Sequence, residues 1–124
     1  MGELLYEDIT YKINGAAYRA YNKLGYGYRE KLYHRALFEE LKIELLEFKH
    51  ECPVKLIYND KIIGKYYIDF VIEDKIAVEI KIANDFYVRD IKQLFSYLKA
   101  KNLKLGLLII LNKDGVKIKR IINS

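Results

Sequence analysis

Asp69, Glu79 and Lys81 interrupt a stretch, YYIDFVIEDKIAVEIK (66–81), that otherwise alternates like two β-strands. Strands disfavour such residues, and chains rarely bury them unpaired. The apolar pattern fixes their relation. Ile68, Phe70 and Ile72 form one face of the first strand, and Ile76, Val78, Ile80 and Ile82 the matching face of the second. Both sets lie on one side of a sheet only if Ile72 pairs with Ile76, which leaves Glu73, Asp74 and Lys75 as the loop. Asp69 then falls opposite Glu79, with Cβ atoms ~5 Å apart, and two carboxylates so placed repel. A solvated face with Lys81 as neutralising neighbour would offset that cost. So would a divalent cation, since Mg²⁺ is held by one or two carboxylates with waters and substrate phosphate.

Other polar residues converge on the same region. At about 100° per residue, Glu30 projects between Tyr33 and His34, in line with Leu37 and Leu41, and is expected to point towards the sheet. A helix dipole favours an acid in the first turn, but it does not choose the face. Gln93 and Tyr97, four apart on a later helix, share one flank beside its apolar stripe. The lone Cys52 excludes an internal disulfide and a cysteine-built zinc site. Alternation places His50 and Cys52 on one face, yet a Cys/His dyad also needs an orienting partner and an oxyanion hole, so a buried, inert thiol is expected.

The elements that must position these residues follow from periodicity. Residues 4–23 carry Leu5, Ile9, Ile13, Ala16 and Ala20 at steps of three and four, a helix that ends in LGYG. A second helix is expected over 28–45, strands over 48–58 and 61–72 about an Asn59-Asp60 turn, and a third strand over 75–83. A third helix spans 90–101. LKLGLLIIL (103–111) is almost continuously apolar, as suits an interior parallel strand covered on both faces, and VKIKRII (116–122) alternates as a last strand. The order is α-α-β-β-β-α-β-β, with the helical crossover bringing the fourth strand parallel to its neighbour. The fold class expected is therefore α/β, a mixed sheet flanked by helices, in one domain over 1–124.

Twenty-two Lys and Arg against 17 Asp and Glu give a formal net charge of +5 and a pI near 9.1. That balance favours anionic partners, nucleic acid first. No apolar run reaches membrane-spanning length, and the N-terminus lacks a signal peptide's basic start and apolar middle. With one cysteine, a reducing cytoplasmic location is the expectation, and the 12 tyrosines and the long apolar first helix suit a homodimer.

GYREKLY (27–33) resembles the pattern that names the GxxExxY family, through Gly27, Glu30 and Tyr33. VKLIY, the DFVIEDK hairpin, VEIK and QLFSYLKAKNLKLGLLI extend the likeness from about Leu4 to Ile122. That family looks like a small branch of the PD-(D/E)XK nuclease superfamily, so the resemblance implies a restriction-endonuclease-like core and phosphodiester hydrolysis of nucleic acid, DNA ahead of RNA. It assigns Asp69, Glu79, the Ile80 carbonyl and Glu30 to a Mg²⁺ or Mn²⁺ ion. Lys81 becomes the residue that positions water or offsets charge on the scissile phosphate, with Gln93, Tyr97 and Tyr33 on the substrate side. Ile68 stands where the superfamily motif carries proline. The alternative is a catalytically silent module that binds nucleic acid or protein on the same fold.

Overall fold

A computed structural model describes residues 4–124. Helices α1 (Glu7–Leu24) and α2 (Glu30–Ile43) precede strands β1 (Phe48–Tyr58), β2 (Lys61–Ile72) and β3 (Ile76–Ile82). Helix α3 (Val88–Lys101) and strands β4 (Leu105–Asn112) and β5 (Gly115–Ile122) complete the chain. The five strands form one sheet in sequence order, antiparallel except for the β3–β4 pair. This is the expected mixed sheet, with its interior parallel strand in the expected place: all eight residues of β4 are buried.

Helices cover both faces. Ile13, Ala16, Tyr33, Leu37 and Leu41 of α1 and α2 pack on Phe70, Ile72, Val78, Ile80 and Ile109. Leu94, Tyr97 and Leu98 of α3 pack on Val71, Ala77, Leu108 and Ile110 from the other side. The α1–α2 corner turns on Gly25 (φ 79°) and Gly27 (φ 117°), backbone angles that side chains resist. Tyr33 closes that corner from below, its hydroxyl donating to the Gly25 carbonyl at 2.5 Å. Across it, Arg19 and Lys23 of α1 hold the buried Glu40 of α2 at 2.8 and 2.7 Å.

The register between β2 and β3 is the one that the apolar pattern requires, with Ile72 opposite Ile76 and Phe70 opposite Val78. There the ladder stops. The faces expected of β2 and β1 need correction at the same level. Phe70 and Ile72 face α1 and α2, but Ile68 belongs to the cluster under α3, as Val71 does. On β1 the change falls between His50, which packs on Phe38 and Phe70, and Cys52, which lies under α3. Between these positions neither Glu51 nor Asp69 is a ladder partner, and Glu51 adopts φ 51°. The register is the same on both sides of this point, so one residue of each strand stands out of alternation and both strands turn over together. His50 and Cys52 are thus on opposite faces, and Cys52 is buried and free.

Beyond this level β1 and β2 pair only with each other, forming an arm that ends at Asn59 (φ 49°) and Asp60 (φ 62°). Two left-handed residues in succession make the turn whose twist suits a two-residue hairpin.

Candidate active site

The opening between β2 and β3 is where the acids meet. Just past the last ladder pair, the Asp69 N–H donates to the Glu79 carboxylate at 2.6 Å. The Asp69 carboxylate in turn accepts the Ile80 N–H at 2.8 Å. Side chains have replaced backbone in the ladder, which satisfies both amides while the strands part. Alternation from Ala77, which packs under α3, carries Glu79 and Lys81 to the α3 side of β3. Helix α2 approaches from the opposite side. His34 Nδ1 lies 3.8 Å from Asp69 Oδ1, and the Ile82 N–H donates to Glu30 at 3.4 Å. Asp69 stands in the gap that joins the two sides.

Electrostatics follow from that crowding. Burial, and then the charge of Asp69, push the Glu79 carboxyl up to about 8. Asp69 is raised too, chiefly by burial. Glu30 is exposed at the mouth rather than buried in the apolar stripe, but partial desolvation and Asp69 still hold it above the ordinary carboxyl value. Lys81 offsets all three acids at a distance without an ion pair among the described residues. For all three acids burial is the first cause, ahead of the charges around them. Asp69 and Glu79 meet as a pair, and Glu30 does not join them in a three-donor cluster among the described residues. Carboxylate oxygens are the donor type that suits a hard divalent cation.

The remaining site residues divide. Tyr97 is buried against Tyr66, ring centroids 5.5 Å apart, and burial followed by the Glu79 charge pushes its phenol up to about 12. Gln93 lies one turn earlier on α3, partly exposed. Tyr33 is 2% exposed and anchors the α1–α2 loop, one turn of helix from Glu30. The structure also adds residues that the spacing of the acids does not single out. A groove of about 660 Å³ beside Asp69 is lined by Lys31, His34, Arg35, His50 and Glu51 as well as Glu30. His34 was legible as the residue one helical turn after Glu30. Glu51 was not, because only its left-handed backbone brings it round. Lys81 opens instead onto a second groove, of about 430 Å³, with Asn84, Arg89 and Asp90.

Five strands in this order, with the paired acids at the split between the second and third and a lysine two residues on, define a nuclease-type core. The comparisons agree. Residues 7–121 match the model of the PD-(D/E)XK nuclease superfamily, and the chain belongs to that superfamily. Among solved structures, the crystal structure of SSO0001 is similar, with a TM-score of 0.62 at 22% identity, over 96% of this chain and 60% of that one. An alkaline exonuclease (LHK-Exo) from Laribacter hongkongensis is similar over 100% of this chain and 73% of its own, with a TM-score of 0.55 at 15% identity. No curated protein sequence matches the chain. No helix among the described residues is long and apolar enough to cross a membrane.

Proposed function

We propose that this chain is a divalent-metal-dependent nuclease of the GxxExxY branch, hydrolysing phosphodiester bonds of nucleic acid, with DNA favoured over RNA. One observation carries the reading: the Asp69–Glu79 pair at the parting of β2 and β3, where the Glu79 carboxyl is held at about 8. Glu79 is buried and Asp69 partly so, and carboxyls raised by burial in this way cluster at functional sites.

In this reading Asp69, Glu79 and the Ile80 carbonyl hold Mg²⁺ or Mn²⁺, with Glu30 at the mouth. The cation supplies Lewis acidity at the phosphate and acidifies its water. The chain's own groups do the rest. Asp69 is fixed by the Ile80 N–H, so one of its oxygens keeps its place while the other faces α2. Lys81, whose charge acts on the acids at a distance, takes the role of orienting the attacking water or offsetting negative charge building on the phosphate. Tyr97 maintains the α3 wall beside Glu79, and Gln93 takes the role of a contact to backbone phosphate. Lys31 and Arg35 in the larger groove give sequence-independent attraction to a polyanion.

The test is cleavage of labelled single-stranded, duplex and branched DNA and RNA in Mn²⁺, wild type beside Glu79→Gln and Lys81→Ala. Metal-dependent cutting by wild type, with loss of at least a hundredfold in both variants, supports the proposal. Equal cutting by a folded Glu79→Gln protein would sink it. Tight binding without cutting by any of the three would favour the silent module.

A further inference from the structure

A second cluster lies in the larger groove, next to the acids but built from different residues. His34, His50 and Glu51 each offer a donor atom, and these three atoms lie within 4.8 Å of one another. Two imidazoles and a carboxylate are a ligand set for a borderline cation such as Zn²⁺, and a poor one for Mg²⁺.

Three features of the fold argue for a built site rather than chance proximity. The first is the turnover of β1 between His50 and Cys52. Neighbouring residues on a regular strand point to opposite faces, so His50 and Glu51 could not both address His34. The left-handed Glu51, φ 51°, breaks the alternation and lets both contribute. Next, the imidazole of His34 is held by packing, stacked on Phe70 with ring centroids 4.3 Å apart. His50 packs edge-on against Phe38 at 4.9 Å. Lastly, His34 Nε2 is buried and has no hydrogen-bond partner among the described residues. A buried nitrogen without a partner calls for a water or an ion.

We infer that His34, His50 and Glu51 form a zinc-class metal site that pins α2 to β1. Donors around a tetrahedral Zn²⁺ lie about 3.4 Å apart, so the cluster must contract. Glu51 is exposed on the groove wall, and its side chain supplies most of that movement. Three protein donors leave a coordination position facing the groove, open to water or to an anionic oxygen. The same groove gives the ion its entry path. The site is distinct from the Asp69–Glu79 pair in both ligand chemistry and residues, and it does not depend on the proposed hydrolysis.

The experiment is titration of metal-free protein with Zn²⁺ by calorimetry, and with Co²⁺ followed by visible absorption. The proteins are wild type, His50→Ala, His50→Gln, Glu51→Gln and Glu79→Gln, each checked for folding by circular dichroism. Wild type is expected to take up Zn²⁺ whether or not excess Mg²⁺ is present, and to give a Co²⁺ spectrum with imidazole ligation. Both His50 variants should weaken Zn²⁺ at least tenfold and Glu51→Gln several-fold, while Glu79→Gln retains it. Unchanged Zn²⁺ affinity in the His50 variants overturns the inference, as does absence of binding to wild type. Loss in Glu79→Gln with retention in His50→Ala also overturns it and assigns the ion to the acid pair.

Discussion

Asp69 and Glu79 each hydrogen-bond to the other strand's backbone: the Asp69 N–H reaches Glu79 at 2.6 Å, and the Asp69 carboxylate takes the Ile80 N–H at 2.8 Å. The exchange accounts for both the geometry and the charge of the site. It ends the β2–β3 ladder without leaving buried amides unpaired. It also holds two carboxyls close enough to compete for one proton.

That competition makes stability depend on pH in an unusual direction. Between the ordinary carboxyl value of 4.5 and about 8, the folded chain keeps a proton on Glu79 that the unfolded chain has released. The folded state binds more protons there, so unfolding free energy falls as pH rises, by up to about 1.4 kcal/mol per pH unit. Thermal unfolding of the metal-free protein should therefore show Tm decreasing from pH 5 to 8. Glu79→Gln should flatten the slope, and added Mg²⁺ or Mn²⁺ should raise Tm most at the alkaline end. A flat wild-type profile in this window would remove the case for a strained acid pair.

Gly106 sets how closely α3 approaches the sheet. A Cβ placed there would stand 3.0 Å from Leu94 Cγ and 3.1 Å from its Cδ2. Overpacking of this kind costs about 1–3 kcal/mol, and Leu94 lies one turn from Tyr97. Gly106→Val should lower the urea midpoint at unchanged m-value, and Gly106→Ala should do so less. If the helix shifts to absorb the clash, Tyr97 and Glu79 move apart, and the phenol should titrate lower than in wild type.

Most of the architecture was legible because it rests on apolar period. The pairing of Ile72 with Ile76 and the fully covered β4 follow from which residues must be buried, and the turn at Asn59-Asp60 from its turn-forming residue types. Asp69 and Glu79 do meet, but the ladder stops one pair short of them and they join through side chain to backbone bonds instead. What period cannot show is where a strand abandons it. Ile68 reads as continuous with Phe70 and Ile72, but packs with Leu94 and Tyr97 on the other side. The Glu51 backbone angle that accompanies this change has no sequence signature, since glutamate has no preference for the left-handed region. His50 therefore read as a neighbour of Cys52 instead of His34. Tyr33 shares the motif spacing of Glu30, and spacing alone does not separate a loop anchor from a surface contact.

The β1–β2 arm offers a graded test of polyanion binding. Lys55, Lys61 and Lys65 are exposed along it beside Tyr58 and Tyr67, which are 64% and 56% exposed. Lysines neutralise phosphate, and exposed aromatic rings stack on unpaired bases. Replacing one lysine that contacts phosphate should reduce the slope of log affinity against log salt by about 0.7 on single strands and about 0.9 on duplex. Tyr67→Ala should weaken single-strand binding at every salt concentration and leave the slope unchanged. If all three lysine variants keep the wild-type slope, the arm lies off the nucleic-acid path.

Tyr33 gives the last test, because its two readings separate cleanly. The hydroxyl donates to the Gly25 carbonyl at 2.5 Å and accepts the Tyr28 N–H at 3.4 Å, and the ring is buried beside Tyr21 and Tyr28. Removing that hydroxyl leaves a loop carbonyl without its partner, a loss of about 1 kcal/mol. The loop is the one that delivers Glu30 to the mouth of the site. Tyr33→Phe should therefore lower Tm by a few degrees and increase amide exchange at residues 25–29. Its nucleic-acid affinity, measured well below Tm, should match wild type. A variant that keeps wild-type Tm and exchange but loses affinity would put the hydroxyl in contact with substrate and the loop under other control.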